Sequence, residues 1–294
     1  MSNSYPVYIV SKGRWDNPIT AKCFEEDGVD YKIVVEPQEY AHYVSALGKH
    51  RVLQLPFQNL GMGSTPARNF CWEHSTKHGH ERHWVFDDNI QKFRRMHKGK
   101  RIPCNAGKAI ECLETFVDRY TNVGIGGFNY TMFAYTGVQV PFRVNCHVYS
   151  ALLIRNDLNA KWRMKYNEDV DICLQVLTQR ECTVLFNAFC VDKISTLQGM
   201  KGGNQAELYN NNDPRKFWIK SKALQNVWPE YVDVKHKFSR WHHDVQWHRH
   251  FKHTLVRRKD LDWSEIARKK FDFKLKQVKP IKHRSIKKFF DEHQ

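Results

Sequence analysis

His83-Trp84-Val85-Phe86-Asp87-Asp88-Asn89 is a short apolar run that ends abruptly in two carboxylates and an amide. The apolar part is typical of a buried strand in a parallel sheet. Acidic groups at the carboxyl end of such a strand lie where open α/β sheets bind their ligands. Two adjacent carboxylates repel each other, and a bound Mg²⁺ or Mn²⁺ with oxygen ligands relieves that repulsion. A loop of ordinary turn and capping residues is the alternative interpretation.

The composition limits the class of protein. The chain has 294 residues, of which 41% are hydrophobic, enough for one large domain or for one domain with an appendage. Its formal net charge of +16 favours a polyanionic partner. The eight cysteines form no C-x-x-C pair, which argues against a zinc ribbon or a thioredoxin-like site. No apolar run has membrane-spanning length and no signal peptide is recognisable, so we expect a cytoplasmic protein.

Strand and helix patterns alternate along most of the chain, which predicts an α/β fold with a mainly parallel sheet flanked by helices. We predict strands at 5–10, 31–36, 52–55, 83–88, 123–128 and 182–190, and one long strand or a strand pair at 143–154. Predicted helices lie at 18–26, 65–78 and 105–120, from 167 onward, and from 213 to 227. Thr65 and Asn167 are expected N-caps. The glycine-rich 123–128 predicts a strand that another backbone approaches closely.

Polar side chains that follow the predicted strands are candidate contacts for a phosphate-bearing cofactor. Arg68 lies in the first turn of a helix, where a cation opposes the helix dipole and a bound diphosphate would remove the conflict. An ordinary surface arginine is the alternative. The candidate cofactor-binding residues are Ser11, Lys12, Arg14, Glu36, Arg68, Asn69 and Asp87.

The last part of the chain changes character. Residues 235–253 hold six histidines among tryptophans and arginines, and from Arg249 to Gln294 fifteen Lys or Arg residues stand against six Asp or Glu. A basic stretch that carries aromatic residues suits a phosphate backbone, and a solvated basic helix is the alternative. We therefore expect a main domain at 1–250 and a basic extension at 251–294, helical and packed on or beside the core. The candidate DNA-binding residues are Arg240, Trp241, Arg249, Lys252, Arg257 and Arg258.

The ordered set of motifs resembles the GT-A glycosyltransferases and, more specifically, the phage DNA-modifying TET/base-J-binding-protein-associated glycosyltransferases. The resemblance covers about residues 5–250. Asp87-Asp88-Asn89 looks like the D-x-D element of the GT-A enzymes, with Asn89 in place of the final acid. The segments that carry the resemblance are Tyr8-Ile9-Val10-Ser11-Lys12-Gly13-Arg14, Pro66-Ala67-Arg68-Asn69, Phe86-Asp87-Asp88-Asn89, Asn167-Glu168-Asp169-Val170-Asp171, Gly202-Gly203-Asn204 and Arg240-Trp241-His242-His243.

This resemblance implies a GT-A-like, Rossmann-type fold and a nucleotide-sugar donor such as UDP-glucose or UDP-arabinose. The acceptor it implies is the hydroxymethyl group of 5-hydroxymethylcytosine, or of another hydroxymethylpyrimidine, in phage DNA inside the infected host, which the sugar would protect from host nucleases. It also implies a Mn²⁺ or Mg²⁺ ion held by Asp87, Asp88, Asn89 and a late histidine. We favour His242, and His243 and His236 are the alternatives. Asp169 stands in the position of the family's catalytic base, beside Glu168.

Two other functions stay open at this point. One is a GT-A glycosyltransferase with a protein, lipid or glycan acceptor, against which the basic tail argues. The other is a non-catalytic nucleic-acid-binding protein whose acidic residues are helix caps. The sequence does not decide the sugar, the stereochemical outcome, the strandedness of the DNA or the oligomeric state.

Overall fold

A computed structural model of the chain describes residues 4–134, 140–194, 202–203 and 213–268. The strands in this part are β1 Val7–Val10, β2 Lys32–Val35, β3 Val52–Gln54, β4 Arg82–Asp87, β5 Ile90–His97, β6 Lys100–Cys104, β7 Val123–Tyr130, β8 Phe142–Val144, β9 Ala151–Arg155, β10 Cys182–Lys193, β11 Val232–Lys237 and β12 Arg240–Val245. The α-helices are α1 Ile19–Asp27, α2 Tyr40–Leu47, α3 Thr65–Lys77, α4 Ala106–Val117, α5 Glu168–Thr178, α6 Lys216–Val227, α7 Trp247–His250 and α8 Trp263–Arg268. Short 3₁₀ turns lie at Pro37–Glu39, Lys49–Arg51 and Thr131–Phe133.

Ten of these strands form one sheet in the order β3-β2-β1-β4-β9-β7-β10-β5-β6, with β8 paired to β10. Strands β1 to β4 run in one direction, and β7, β10 and β6 share it, so that β9, β5 and β8 are the antiparallel members. The predicted α/β fold with a mainly parallel sheet flanked by helices is confirmed. The remaining two strands, β11 and β12, form a separate antiparallel hairpin.

The two-residue period of β4 decides which side chain goes to which face of the sheet. Trp84 and Phe86 lie fully buried in the main core, where they stack against each other with ring centroids 5.1 Å apart. Val85 packs on the other face in a separate cluster with Cys71 of α3. Full burial of such a side chain stabilises the fold by about 2 kcal/mol. Asp87 is two residues after Val85, so its side chain lies on the same face of the sheet, beside α3.

Several elements differ from those predicted. The hairpins β5–β6 and β11–β12 were not predicted, because both are rich in charged residues and carry no clear apolar alternation. Helix α2 was not predicted either. Residues 143–154 form two strands, β8 and β9, which pair with different neighbours. Strand β10 runs three residues beyond its predicted end, to Lys193.

Both predicted N-caps are wrong in their side-chain chemistry. The Thr65 hydroxyl donates a hydrogen bond to the carbonyl of Met164 at 2.6 Å, and so it ties α3 to a distant loop instead of capping it. Asn167 does occupy the position before α5, but its amide donates to the carbonyl of Lys220 at 2.9 Å. In each case the side chain donates a hydrogen bond to a distant backbone carbonyl, and it does not bond to the first backbone amides of its own helix as a cap would.

The beginning of the basic extension lies against the core. Phe251 is buried, Arg257 forms a bridge with Tyr120, and the Thr121 amide donates to the carbonyl of Val256 at 2.9 Å. The domain boundary near residue 250 stays a prediction, and residues 269–294 of the extension lie outside the described residues. None of the helices in the described part of the chain has the length and hydrophobicity that crossing a bilayer requires.

Gly127 of β7 confirms the close approach that the glycine-rich stretch predicted. A Cβ atom built at this residue would overlap the backbone carbonyl oxygen of Ala151 in β9. At Gly126 the nearest atoms are side-chain carbons of Leu113 and Val117, at 2.8 and 3.0 Å. Side chains can turn away, whereas a strand backbone in a ladder cannot move alone.

We expect Gly127→Ala to destabilise the fold by about 3 kcal/mol because the added methyl group forces β7 and β9 apart. Gly126→Ala is the matched control and should cost about 1 kcal/mol. Urea unfolding monitored by tryptophan fluorescence measures both. Equal losses in the two variants would show that the backbone contact is not the constraint.

Candidate functional site

The carboxyl ends of β1, β2, β4 and β10 meet at one cleft with a volume of 540 Å³. This volume falls within the range of small-molecule sites. The cleft brings together most of the residues predicted from the sequence. Those that line it are Ser11, Lys12, Arg14, Glu36, Arg68, Asp87, Asp88, Asn89, Glu168, Arg240, Trp241 and His242.

Asp87 forms the centre of the cleft floor. Its carboxylate accepts hydrogen bonds at 2.7 Å from Arg68 Nη2, Ser150 Oγ and Lys193 Nζ. Burial acts to raise the pKa of Asp87, but Lys193 and Arg68 more than offset it, and the net pKa lies below the ordinary value. Burial acts to lower the pKa of Lys193, but Asp87 and Tyr130 more than offset it, and the net pKa lies above the ordinary value. The ion pair is therefore fully charged at neutral pH.

Asp88 is buried beneath the turn that follows β1. It accepts a hydrogen bond from Ser11 Oγ at 2.6 Å and forms an ion pair with Arg14. Burial raises the pKa of Asp88 above the ordinary value, although Arg14 and Ser11 act in the opposite direction. The Tyr43 hydroxyl supports the turn, because it lies 2.6 Å from Ser11 Oγ and accepts from the Arg14 amide at 3.1 Å.

Gly202 and Gly203 cover this turn from a distant part of the chain. The Gly203 amide donates to the carbonyl of Lys12 at 2.7 Å. Gly202 has a φ of 74°, and a Cβ atom there would overlap the backbone of Gly13. The motif predicted from the sequence thus closes over the β1 turn, while its third residue, Asn204, lies outside the described residues.

Arg68 links the floor of the cleft to α5. Its guanidinium is buried, lies 2.7 Å from Asp87 Oδ1 and 3.9 Å from Glu168 Oε1, and stacks over the Trp162 ring at 4.6 Å. Burial acts to lower the pKa of Arg68, and the acids around it raise the pKa above its ordinary value. The conflict between this cation and the helix dipole is therefore relieved by carboxylates of the chain itself.

The first turn of α5 presents two acids to different surroundings. Glu168 lines the cleft, and burial raises its pKa above the ordinary value against the effect of Arg68. Asp169 Oδ2 lies 3.0 Å from His147 Nε2. Burial acts to raise the pKa of Asp169, but His147, Lys220 and Arg68 bring the net pKa well below the ordinary value. Asp169 is thus ionised at neutral pH, and Glu168 is the acid with the greater affinity for a proton.

The carboxylates at the end of β4 do not fit a divalent ion in this arrangement. Both are already paired with cations of the chain, and an added Mg²⁺ or Mn²⁺ would stand beside Arg14, Arg68 and Lys193. His242 Nε2 is occupied as well, since Arg240 Nε donates to it at 3.0 Å. Asn89 Oδ1 is buried without a hydrogen-bond partner, but it is a single ligand. Among the described residues, no group of three or more His, Cys, Asp or Glu side chains is placed to hold a metal.

Some predicted residues lie away from the cleft. The amide of Asn69 holds the backbone of Trp162 through two hydrogen bonds of 2.7 and 3.0 Å, which is a structural role. Arg257 and Arg258 contact Tyr120 and Arg119, which precede β7, whereas the cleft lies at the carboxyl ends of the parallel strands. The eight residues of β7 span roughly 23 Å, so the contacts of Arg257 and Arg258 at the start of β7 lie about that far from the edge of the sheet that holds the cleft. Arg249 and Lys252 are exposed on and after α7.

Three residues of the site were missed in the sequence. Lys193 was missed because the predicted strand ends at Cys190, although a polar residue at a strand end was the signal that identified Asp87. His147 lies in an irregular segment between β8 and β9 with no local pattern. Lys220 lines the cleft from α6, a helix that was predicted but given no functional role.

Comparison with known proteins gives one family match that covers most of the chain. The family model described as TET-Associated Glycosyltransferase matches residues 5–203. No curated protein matches the chain. One solved structure, described as a candidate nucleotide-diphospho-sugar transferase from Desulfovibrio desulfuricans G20, has 12% sequence identity and a TM-score of 0.36, covering 76% of this chain and 95% of that chain. A likeness with so low a TM-score carries no argument about this chain.

Replacing Arg68 should expose how much the fold depends on the Asp87 network. We expect Arg68→Met to destabilise the protein by about 3 kcal/mol at pH 7, because the partly buried Asp87 carboxylate loses a cation that is itself buried beside it. The lowered pKa of Asp87 gives stability that is present above its unfolded pKa and lost as the pH falls through its folded value. The variant should therefore begin to unfold at a higher pH than the wild type on acid titration.

The matched control is Arg94→Met. Arg94 pairs with Asp192 at the same distance of 2.7 Å, and Asp192 is as exposed as Asp87, but the Arg94 side chain is 26% exposed whereas that of Arg68 is 4% exposed. Loss of Arg94 should cost under about 1 kcal/mol and leave the acid transition in place. Urea unfolding at pH 7 and pH 4 compares the two variants, and equal losses would contradict the central role of Arg68.

Proposed function

Because the chain belongs to the TET-associated glycosyltransferase family, we propose that it transfers a sugar from a nucleotide-sugar to a hydroxymethylpyrimidine in DNA. The family identifies the chain as a glycosyltransferase, and the donor, the acceptor and the residue roles below are our proposal. The observation that carries it is the cleft at the carboxyl edge of the sheet, where Asp87 lies between Lys193 and Arg68. Glucose, arabinose and N-acetylhexosamine all remain candidate sugars, with UDP as the favoured nucleotide.

The cleft has two kinds of wall, which suit the two ends of a nucleoside diphosphate. One side is apolar and would accept the nucleobase: it is lined by Val10, Leu55, Phe57, Leu60 and Pro66. Beside it, Lys12 pairs with Glu36 at 3.1 Å, where a ribose hydroxyl could compete for the carboxylate. The other side is cationic and would accept the diphosphate: it is lined by Arg68, Lys193, Lys216, Lys220 and Arg240.

The reaction needs negative charge stabilised on the leaving group and a proton removed from the acceptor. The bond between the anomeric carbon and the diphosphate oxygen breaks while the hydroxymethyl oxygen forms its bond to that carbon. The nucleoside diphosphate leaves with the added charge, which Arg68 and Lys193 would stabilise. The hydroxyl proton passes to a carboxylate of the chain.

Asp169 is the proposed base in an inverting displacement. Its low pKa means that it would accept the proton late, as the new bond forms. His147 would hold the carboxylate in place through their 3.0 Å contact. Glu168 is the second candidate, because it lines the cleft and its raised pKa suits a general base. If the enzyme retains configuration, Asp169 would position a substrate instead.

A divalent metal stays a prediction from the sequence, and the arrangement of the carboxylates at the end of β4 does not favour it. Since Asp87 and Asp88 are already paired with cations, we assign the stabilisation of the diphosphate to side chains of the chain. Mn²⁺ or Mg²⁺ would supply the same kind of charge stabilisation if it bound. The proposed reaction includes no step that depends on such an ion.

The DNA acceptor is supported by charge. The net charge of +16 and the cationic side of the cleft both favour a polyphosphate. Arg240 and Trp241, at the cleft, are the proposed contacts near the reacting base. We propose that more distant basic residues contact the phosphate backbone of the DNA: Arg249, Lys252, Arg257, Arg258 and those beyond 268. A duplex bound at the cleft would have to extend around the edge of the domain to reach them.

The direct test is incubation of the full chain with hydroxymethylcytosine DNA and a panel of nucleotide-sugars, followed by mass spectrometry of the nucleosides. We expect one donor, a UDP-sugar, to add the mass of its sugar to hydroxymethylcytosine. Unmodified DNA is the matched control and should gain nothing. Transfer to a protein or glycan acceptor with none to DNA would overturn the proposal.

The same assay, run once with EDTA and once with Mn²⁺, tests whether transfer requires a metal. We expect transfer to continue in EDTA at a rate within about tenfold of that with Mn²⁺, roughly 1.4 kcal/mol in the barrier. Complete loss in EDTA, restored by Mn²⁺, would establish the metal predicted from the sequence and contradict the assignment to Lys193 and Arg68.

Paired amide variants identify the base. We expect Asp169→Asn to lower transfer by a factor of about 10² to 10⁴ without weakening binding of the donor. Glu168→Gln is the comparison. If Asp169 is the base, the wild-type enzyme should keep its rate at pH values below the ordinary carboxylate range, because the pKa of Asp169 is lowered. If Glu168 is the base, the rate should fall at a higher pH, because the raised pKa of Glu168 means that it is protonated there. Near-normal turnover of Asp169→Asn would remove it from the role.

A further inference from the structure

The β11–β12 hairpin carries an apolar side chain at its tip that the proposed reaction does not use. Phe238 is 69% exposed, more than any other large hydrophobic side chain in the described part of the protein. Lys237 and Arg240 are paired across the hairpin, so Phe238 and Ser239 are the two residues of its turn. Its ring lies edge-on to the ring of His242 in β12, with centroids 6.2 Å apart, and most of its surface faces solvent.

The backbone of the turn makes this placement more unusual. Phe238 has a φ of 50° and Ser239 a φ of 58°, as in the tight hairpin turns that favour Asn-Gly. A bulky residue in this left-handed region is uncommon and conformationally unfavourable. Such outliers persist where the surroundings impose them, often at functional sites. The turn therefore presents an aromatic ring in place of a residue that would suit it better.

The hairpin is fixed beside the cleft. At its base, Val232 is buried in a cluster with Leu224 of α6 and Val170 of α5. Along β12, Trp241, His242 and His243 line the cleft. The tip thus stands at the mouth of the cleft, on a hairpin that packs against α6 and shares a buried apolar cluster with α5, the helix that carries Glu168 and Asp169.

The charges of the hairpin are divided along its length. Asp233 and Asp244 are paired at the base, and Asp244 contacts Lys237 Nζ at 3.1 Å. Arg240 is next to the turn, stacks over Phe217 at 5.5 Å and has no carboxylate partner among the described residues. Lys216 and Lys220 of α6 line the cleft behind it. The tip is an aromatic ring in a positively charged surrounding, which is complementary to a nucleic acid.

We propose that Phe238 enters the base stack of duplex DNA and occupies the space left by the hydroxymethylpyrimidine as that base turns into the cleft. The proposal rests on the DNA acceptor inferred above. A base inside a duplex cannot reach a donor bound in a cleft, so it has to leave the stack. Unstacking costs free energy that an inserted apolar side chain can offset in part. Arg240 would hold the neighbouring phosphate.

A binding experiment tests the wedge without any catalysis. A duplex with 2-aminopurine beside one hydroxymethylcytosine reports loss of stacking as a rise in fluorescence. We expect the wild-type protein to raise the signal severalfold and Phe238→Ala to abolish most of the rise. Phe238→Leu should keep most of it, because leucine also acts as a wedge. Val256→Ala, at a side chain that is 50% exposed and away from the cleft, is the matched control and should match the wild type.

A transfer experiment then separates the wedge from the proposed function. We expect Phe238→Ala to lower transfer to the duplex at least tenfold and transfer to the single-stranded oligonucleotide by less than twofold. An equal loss on both acceptors, or no loss on the duplex, would overturn the wedge. If the wild type modifies neither acceptor, the proposed function fails, and the fluorescence decides alone: a rise that depends on Phe238 supports insertion, and no rise contradicts it.

Discussion

Two neighbouring carboxylates, the partly buried Asp87 and the buried Asp88, are the constraint on which the cleft depends. Acids in such a place are tolerated only when cations or hydrogen-bond donors reach them. The chain supplies Arg14, Arg68 and Lys193, which come from the turn after β1, the first turn of α3 and the end of β10. Each ion pair ties a separate element to the end of β4. The cleft is therefore organised before any ligand arrives.

This preorganisation has a consequence for the donor. Arg68 and Lys193 are held in place by Asp87, so they need little reorganisation to meet a diphosphate. The second wall, made by α6 and the β11–β12 hairpin, adds cations at the mouth of the cleft. The sheet edge thus provides a fixed floor, and the hairpin provides a cationic rim that suits a larger, negatively charged acceptor.

Residues with a strong local pattern were predicted well. The strand end at Asp87, the β1 turn and Glu168 at the start of α5 all reach one cleft, because the carboxyl ends of parallel strands lie on one side of a sheet. Residues without such a pattern were missed. Lys193 stands beyond the apolar part of its strand, and the charged hairpin, which lies within the predicted main domain, was given no secondary structure from the sequence. Asn69, which shares the helix turn of Arg68, is used to hold the Trp162 backbone instead.

The sequence by itself determined where the acids would emerge, since the alternation along β4 sends Trp84 and Phe86 to one core and leaves Asp87 at the strand end. Only the tertiary structure decided what neutralises them. Lys193 is 106 residues from Asp87 along the chain, and no local pattern encodes a pairing across that distance. A metal and a lysine satisfy the same electrostatic need of a buried carboxylate. The choice between them depends on which strand end the fold brings alongside.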